Sequence, residues 1–248
     1  MCHLCRFPTP PVETRRGFFR QLAGAAVSAG LVGTGRAARA ANAGDPPPAV
    51  ASSGWGRILT PHPEWDFHND REAQVVDFIR EDRSLGANMR HGVADPRNLA
   101  SLCQYPFLFS FDLTDIRDAR EWANLREYIY RGGFLYLDNC VHVSPNITAY
   151  RTDHLTRLTR LLPASEWRRL SDDHPIYRTR YPIKPSQLPD DAHTPDDQLR
   201  ALYGVFDDDR MVALVSMAHL FCGWPERPSY VEADKKQMVN IYAYARAH

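Results

Sequence analysis

The chain has 248 residues, 44% of them hydrophobic and 24% charged, which is enough for a folded domain with a sizeable core. Basic and acidic residues number 30 each, but residues 1–40 hold six arginines and one glutamate. The remainder therefore has 24 basic and 29 acidic residues, about five net negative charges. This balance argues against nucleic acid or anionic lipid as the main partner, because both require a basic surface.

Residues 1–43 are predicted to be a cleavable twin-arginine signal peptide. Arg15 and Arg16 precede Gly-Phe-Phe-Arg, a mildly apolar run covers 22–35, and Ala-x-Ala patterns follow. A membrane anchor is the weaker alternative because about 20 apolar residues are needed to cross a bilayer. An ordinary Sec signal is the closer alternative, although Sec favours a more apolar core. We expect the twin-arginine translocase and a signal peptidase as partners, and a periplasmic or other extracytoplasmic location without a stable membrane span.

Residues 44–54 are predicted to be a flexible linker because they are small, polar and rich in proline. Residues 55–248 then form a single domain. Cys2 and Cys5 precede the signal and would be lost with it, so the CxxC pattern carries little weight for a metal or redox site.

Hydrophobic periodicity in this domain predicts alternating strands and helices. In chain order we expect a strand at 57–60, a helix at 71–85, a strand at 105–111, a helix at 115–131, a strand at 134–137, a helix at 147–162, a loop at 172–189, a hairpin or strand pair at 202–206 and 211–216, and a helix at 233–247. The order predicts an α/β fold with a mostly parallel sheet and helices on both faces.

In such a sheet the ligand crevice lies beyond the carboxyl ends of the strands. The candidates for ligand binding are the residues that follow the apolar runs at this edge. They are Asp112, Asp138, Asn139 and Trp224, and Cys140 lies among them. We expect a pocket at this edge that takes a small molecule or a carbohydrate.

Four motifs in order carry a resemblance that covers the domain from about Trp55 to the C-terminus. They are Tyr-Pro-Phe-Leu at 105–108, Gly-Gly-Phe-Leu-Tyr-Leu-Asp at 132–138, Asp-His-Pro-Ile-Tyr at 173–177 and Phe-Cys-Gly-Trp at 221–224. In these motifs the chain resembles the bacterial domain of unknown function family 4159. The resemblance implies a flavodoxin-like fold related to class I glutamine amidotransferases and trehalose-utilisation proteins, and it implies no activity.

Amidotransferases of that fold place a nucleophilic cysteine after a central strand and a histidine after a later one. By this analogy Cys140 is a candidate nucleophile, with His219 as its base and Glu226 as the carboxylate that orients the base. The bulky neighbours Asn139 and Val141 depart from a tight nucleophile elbow, and Asp138 would raise the thiol pKa. The alternative is that Cys140 is a small buried hydrophobe or half of a disulfide with Cys222.

A metal site is a further alternative at the same edge. Asp138, His142 and His219 offer nitrogen and oxygen ligands to a divalent ion, although their spacing is not diagnostic. The sequence requires no cofactor. The favoured interpretation is an exported, soluble binding or accessory protein of the cell envelope; a hydrolase that uses Cys140 or a metal is the alternative, and the residues leave open whether the protein is an enzyme.

Overall fold

The computed structural model describes residues 48–140, 142–188, 201–222, 224–225 and 228–248. The predicted signal peptide, with Arg15 and Arg16, lies outside these residues, as does Glu226. The described chain is an α/β domain built on a seven-stranded sheet. Its strands are β1 Trp55–Ile58, β2 His91–Ala94, β3 Phe107–Ser110, β4 Phe134–Asp138, β5 Glu166–Arg169, β6 Leu202–Asp207 and β7 Arg210–Ser216.

The strands lie in the order β2-β1-β3-β4-β7-β6-β5. The first five of these pair in parallel, while β6 pairs antiparallel with both β7 and β5. The mostly parallel sheet predicted from the sequence is therefore confirmed. Strand β2 lies on one side of β1 and strand β3 lies on the other. The connections from β1 to β2 and from β3 to β4 therefore run in opposite directions along the sheet. Open α/β sheets bind ligands in the crevice that this divergence leaves at the carboxyl ends of the strands.

The central strands are buried on both faces because their side chains alternate between two hydrophobic cores. In β3, Phe107 and Phe109 point into one core and Leu108 into the other. In β4, Tyr136 and Leu137 divide in the same way. Each face of these strands therefore requires a covering layer of helices.

Helices supply that layer on both faces. The core that contains Phe107 also contains side chains of the first and last helices, and the opposite core contains side chains of the three helices between β2 and β5. In chain order the helices are α1 Asn69–Glu81, α2 Arg83–Gly86, α3 Leu99–Leu102, α4 Ala119–Tyr130, α5 Ile147–Leu161 and α6 Val231–Ala247, with 3-10 turns at Pro175–Tyr177 and Pro185–Gln187.

Two strands were not predicted, and both lie at the edges of the sheet. Strand β2 has only Ala94 fully buried, and all four residues of β5 are exposed. An edge strand of this kind lacks the continuous apolar run that marks a central strand. Backbone pairing with β1 and β6 defines these strands, and that pairing has no local sequence signal.

Across the part of the chain that the structure describes, no helix has the length and apolar character needed to cross a membrane.

Candidate metal centre at the carboxyl ends of the strands

Three loops meet at the carboxyl end of the parallel strands. His68 comes from the loop between β1 and α1, Cys140 follows β4, and Cys222 lies beyond β7. Parallel strands end at the same edge of a sheet, so residues distant in sequence become neighbours there.

The three side chains converge on one point. The Sγ atoms of Cys222 and Cys140 lie 3.0 Å apart, and Cys222 Sγ lies 3.7 Å from His68 Nε2. All three potential ligand atoms lie within 4.8 Å of one another. Cys140 is fully buried and both cysteines are free thiols in the structure. The group has the composition of a Cys2His metal site.

Burial controls the protonation of these ligands. It lowers the pKa of His68 to about 3, with the charges of Arg71, His142 and Arg57 acting in the same direction. His68 is therefore neutral near pH 7, which is the form that binds metal. The hydrogen bond to Cys140 and burial raise the pKa of the Cys222 thiol well above its usual range, so the thiol stays protonated until a cation displaces the proton.

A buried arginine fixes the loop that carries His68. Arg57 Nη1 donates hydrogen bonds to the carbonyl oxygens of Trp65 and Phe67, at 2.8 and 3.1 Å. Its Nε pairs with the buried carboxylate of Glu72 on α1. His68 itself has the left-handed φ of 58°, a conformation that non-glycine residues adopt only when their surroundings hold it. The hydrogen bonds and the ion pair of Arg57 therefore keep the strained residue His68 in position beside the cysteines.

A second arginine links this loop to the loop of Cys222. Arg71 Nη1 donates to the carbonyl oxygen of Phe221 at 2.5 Å and lies 3.4 Å from His68 Nε2. It joins two of the three ligand-bearing loops and places positive charge beside the thiols. Positive charge of this kind favours the thiolate form.

Asp138, the last residue of β4, lies fully buried close to the cysteines. Burial raises the pKa of its carboxyl to about 7, although the Ser216 hydroxyl and the backbone amides of Phe221 and Leu220 act in the opposite direction. Those amides belong to the loop of Cys222. Among the described residues neither carboxylate oxygen of Asp138 has a hydrogen-bond partner, and its assignment as a metal ligand or binding residue stays a prediction.

Asp112 follows β3 and makes a separate buried network. Its Oδ1 lies 3.3 Å from His154 Nε2, and its Oδ2 accepts a hydrogen bond of 2.7 Å from Ser144 Oγ. Burial alone would raise the pKa of Asp112, but the hydrogen bond and charge of His154, with Ser144 and Thr114, hold it well below the usual range. Asp112 therefore ties β3 to α5 and to the loop after Cys140, and its ligand-binding role remains a prediction.

The structure brings the other predicted residues to the same region in different environments. Asn139 is buried and its backbone amide bonds to Ser216. His142 is exposed, with its ring 6.3 Å from that of His68. His219 is buried with a left-handed φ of 51°. Trp224 is buried, and its indole nitrogen donates to the carbonyl of Leu220, so its ring packs in the core.

His68 was missed by sequence reasoning, and Cys222 was considered only as a disulfide partner. His68 was missed because it is far from its strand in sequence. It lies ten residues beyond the end of β1, at the far end of a loop that returns to the sheet. The search for residues directly after apolar runs could not find it. The only available signal was a histidine just before a helix in a sequence with two cysteines after other strands.

Comparison with known families agrees with the motifs. Residues 55–245 match the model of the family described as Domain of unknown function (DUF4159). The chain belongs to this family. The match covers every strand, all three metal-ligand candidates and nearly all of α6, so the DUF4159 domain is the whole described fold. A search of curated proteins finds no match.

Proposed function

We propose that this DUF4159 protein is a metal-binding protein of the cell envelope that holds one zinc ion on His68, Cys140 and Cys222. The observation that carries the proposal is the convergence of three ligand atoms, all within 4.8 Å, from three separate loops. In this proposal the zinc ion is what binds at the pocket expected at the carboxyl ends of the strands.

The donor set favours a borderline or soft transition metal. Two thiolates and a neutral imidazole suit Zn²⁺, and they disfavour Mg²⁺ and Ca²⁺, which prefer oxygen ligands. Tetrahedral zinc with normal bond lengths separates a sulfur and a nitrogen ligand by about 3.6 Å and two sulfurs by about 3.8 Å. The first value agrees with the 3.7 Å between Cys222 and His68. The sulfurs, at 3.0 Å, would have to separate by less than 1 Å.

The strand order supports the fold that the family resemblance implies, and the predicted leader supports the location in the cell envelope. The parallel strands have the order β2-β1-β3-β4-β7, which matches a flavodoxin-like sheet and supports a relationship to the amidotransferase-like folds. Export through the twin-arginine pathway, predicted from Arg15 and Arg16, moves proteins already folded. Such a route allows zinc to be loaded in the cytoplasm before export.

A hydrolase that uses the same ion remains the alternative. Three protein ligands leave one coordination position for water, as in catalytic zinc sites. The cysteine nucleophile has less support, because the histidine grouped with the Cys140 sulfur is His68 and that sulfur is fully buried against Cys222.

Metal analysis of the purified full chain tests the proposal. We expect one zinc per chain in the wild type. Cys140→Ser, Cys222→Ser and His68→Gln should each weaken zinc binding by more than about a hundredfold, because loss of a ligand costs more than loss of an outer-shell partner. Cobalt substitution should give sulfur-to-cobalt charge-transfer absorption that disappears in the cysteine variants.

Cys103→Ser is the matched control, since Cys103 is also a buried cysteine but lies in the opposite core. It should keep full zinc content. The proposal would be overturned by a wild-type protein without zinc that is two hydrogen atoms lighter and in which peptide mapping finds a Cys140–Cys222 disulfide.

His142 and Asp138 decide between an open and a closed site. If neither His142→Ala nor Asp138→Asn changes the zinc affinity, the ion has three protein ligands and an exchangeable position. A loss in either variant comparable to that of His68→Gln would instead identify that residue as the fourth ligand and the site as structural.

A further inference from the structure

A groove lies between α5 and the edge strand β5, formed by residues that take no part in the metal centre. Its volume is about 380 Å³, which falls within the range of small-ligand sites. Two arginines, two threonines and two aromatic residues dominate its lining: Arg151, Thr152, Thr156, Trp167, Arg169 and Tyr203.

Trp167 gives the groove a preformed apolar surface. Its side chain is 48% exposed, in contrast to the other described tryptophans, which are buried or partly buried. Its backbone is fixed in β5 opposite Val205, and its ring packs edge-on against Tyr203 at 5.9 Å. An exposed indole held in this way presents a flat face at low cost in conformational entropy, which suits the apolar face of a ring.

The groove lies in a basic segment of a domain whose net charge is negative. Residues 147–169 contain five arginines and two acidic residues, a net charge of +3. The rest of residues 41–248 contains 19 basic and 27 acidic residues, a net charge of −8. Within the groove, Arg151 Nη1 donates to the Tyr203 hydroxyl at 3.1 Å, and Arg169 lies opposite Tyr203 in the sheet.

The helix side of the groove adds neutral polar groups. Thr152 and Thr156 lie one turn apart on α5, so both hydroxyls are on the same side of the helix. Hydroxyls beside an indole face and guanidinium groups make a set that recognises a ring with hydroxyl substituents and an anionic group.

We propose that this groove binds an acidic sugar, a pyranose ring that carries a carboxylate or a phosphate. The ring stacks on Trp167, Arg151 and Arg169 bind the anionic group, and the threonines contact ring hydroxyls. A sugar fits the small volume, whereas nucleic acid would require a longer basic surface.

Calorimetric titration of the full chain with four probes tests the proposal. Glucuronic acid and glucose 6-phosphate distinguish the carboxylate from the phosphate, while glucose and inorganic phosphate separate the ring from the charge. We expect at least one acidic sugar to bind about tenfold or more tightly than both glucose and inorganic phosphate. The sugar assignment would be overturned if neither acidic sugar binds more tightly than inorganic phosphate, which would reduce the groove to an anion site, or if no probe binds.

Matched variants locate the binding. Trp167→Ala should weaken binding of the acidic sugar about tenfold, and Arg169→Gln ten- to hundredfold, since hydrogen bonds to charged groups are the stronger ones. Tyr130→Ala removes an exposed aromatic from α4, and Arg160→Gln removes the same charge from an exposed position of α5. Neither control should change the affinity. Equal losses in variants and controls would show that the binding is nonspecific.

Discussion

Asp112 illustrates how a single buried charge joins several parts of the domain. It is 6% exposed, it lies close to His154 of α5, and it accepts hydrogen bonds from Ser144 Oγ and the amide of Thr114. A buried carboxylate is stable only when its oxygens have such partners. The sequence placed Asp112 at the carboxyl edge of β3, but it did not reveal the histidine that faces it.

Asp112→Asn should lower the free energy of unfolding by about 1–3 kcal/mol, because one acceptor oxygen becomes an NH2 group that faces hydrogen-bond donors. Urea unfolding at several pH values measures it. The folded-state pKa is lower than the ordinary 3.8, so the stabilisation is fully present above that pH and is lost as the pH falls toward the folded-state pKa. The difference between wild type and variant should therefore shrink below about pH 4.

Asp153→Asn is the control for this prediction, since Asp153 is exposed on α5 near His154. It should change stability by less than about 0.5 kcal/mol at any pH. Equal effects of the two substitutions would show that the Asp112 network contributes nothing specific.

The connection between β1 and α1 depends on one buried ion pair. Arg57 of β1 pairs with Glu72 of α1, and its guanidinium lies 4.9 Å from the ring centroid of Phe109. Glu72 also accepts a hydrogen bond of 2.7 Å from the indole of Trp55. Because Arg57 donates hydrogen bonds to two carbonyls of the intervening loop, the same pair positions His68 in the candidate metal centre.

Arg57→Met should destabilise the protein by about 3–5 kcal/mol, because it leaves the Glu72 carboxylate buried without its cation. The loss should be measured by urea unfolding and should be accompanied by weaker zinc binding. Adding Glu72→Gln should restore part of the stability, since the uncompensated charge is then removed.

Arg80→Met provides the comparison, because Arg80 pairs with Asp77 on the exposed side of α1. A surface pair of this kind contributes about 0–1 kcal/mol. A cost for Arg57→Met no larger than that for Arg80→Met would contradict the role assigned to the buried pair.

Central strands can be predicted from their sequences more readily than edge strands. Strand β3 and strand β4 are short apolar runs, as expected for strands covered on both faces, and both were predicted to within two residues at each end. Strand β5 is Glu-Trp-Arg-Arg and was not predicted. Its conformation comes from backbone hydrogen bonds to β6, to which side-chain patterns contribute little.

Charge is distributed unevenly over the domain. The negative balance of residues 41–248 predicts that nucleic acid is not the main partner, but it conceals a basic segment at 147–169. A net charge describes long-range attraction, whereas a binding groove depends on the few charges that line it. The groove between α5 and β5 therefore lies in a segment whose net charge is opposite in sign to that of the rest of residues 41–248.

Export is a property of the entire chain, and its prediction depends on the leader at residues 1–43. Substitution of both Arg15 and Arg16 by lysine keeps the charge and removes the paired arginines that the translocase requires. We expect the wild type in the periplasmic fraction with its leader removed, and the variant retained in the cytoplasm at full length, as measured by fractionation and intact mass.

Lysine at both Arg6 and Arg39 is the control, because it changes two arginines of the same leader outside the pair. It should be exported normally. Continued export of the variant at Arg15 and Arg16 would indicate the Sec pathway, and a wild type that stays in the cytoplasm would end the export proposal.

The sequence by itself was enough to predict the apolar central strands, most of the helices and the mostly parallel sheet. It is also the sole basis for expecting a leader. These properties follow from residues close together in the chain, since burial on one or both faces leaves a local period. Only the tertiary structure shows the candidate metal centre and the groove. Cys222 meets Cys140 across 82 positions and His68 across 154, and no local pattern records contacts that form only when parallel strands end at one edge.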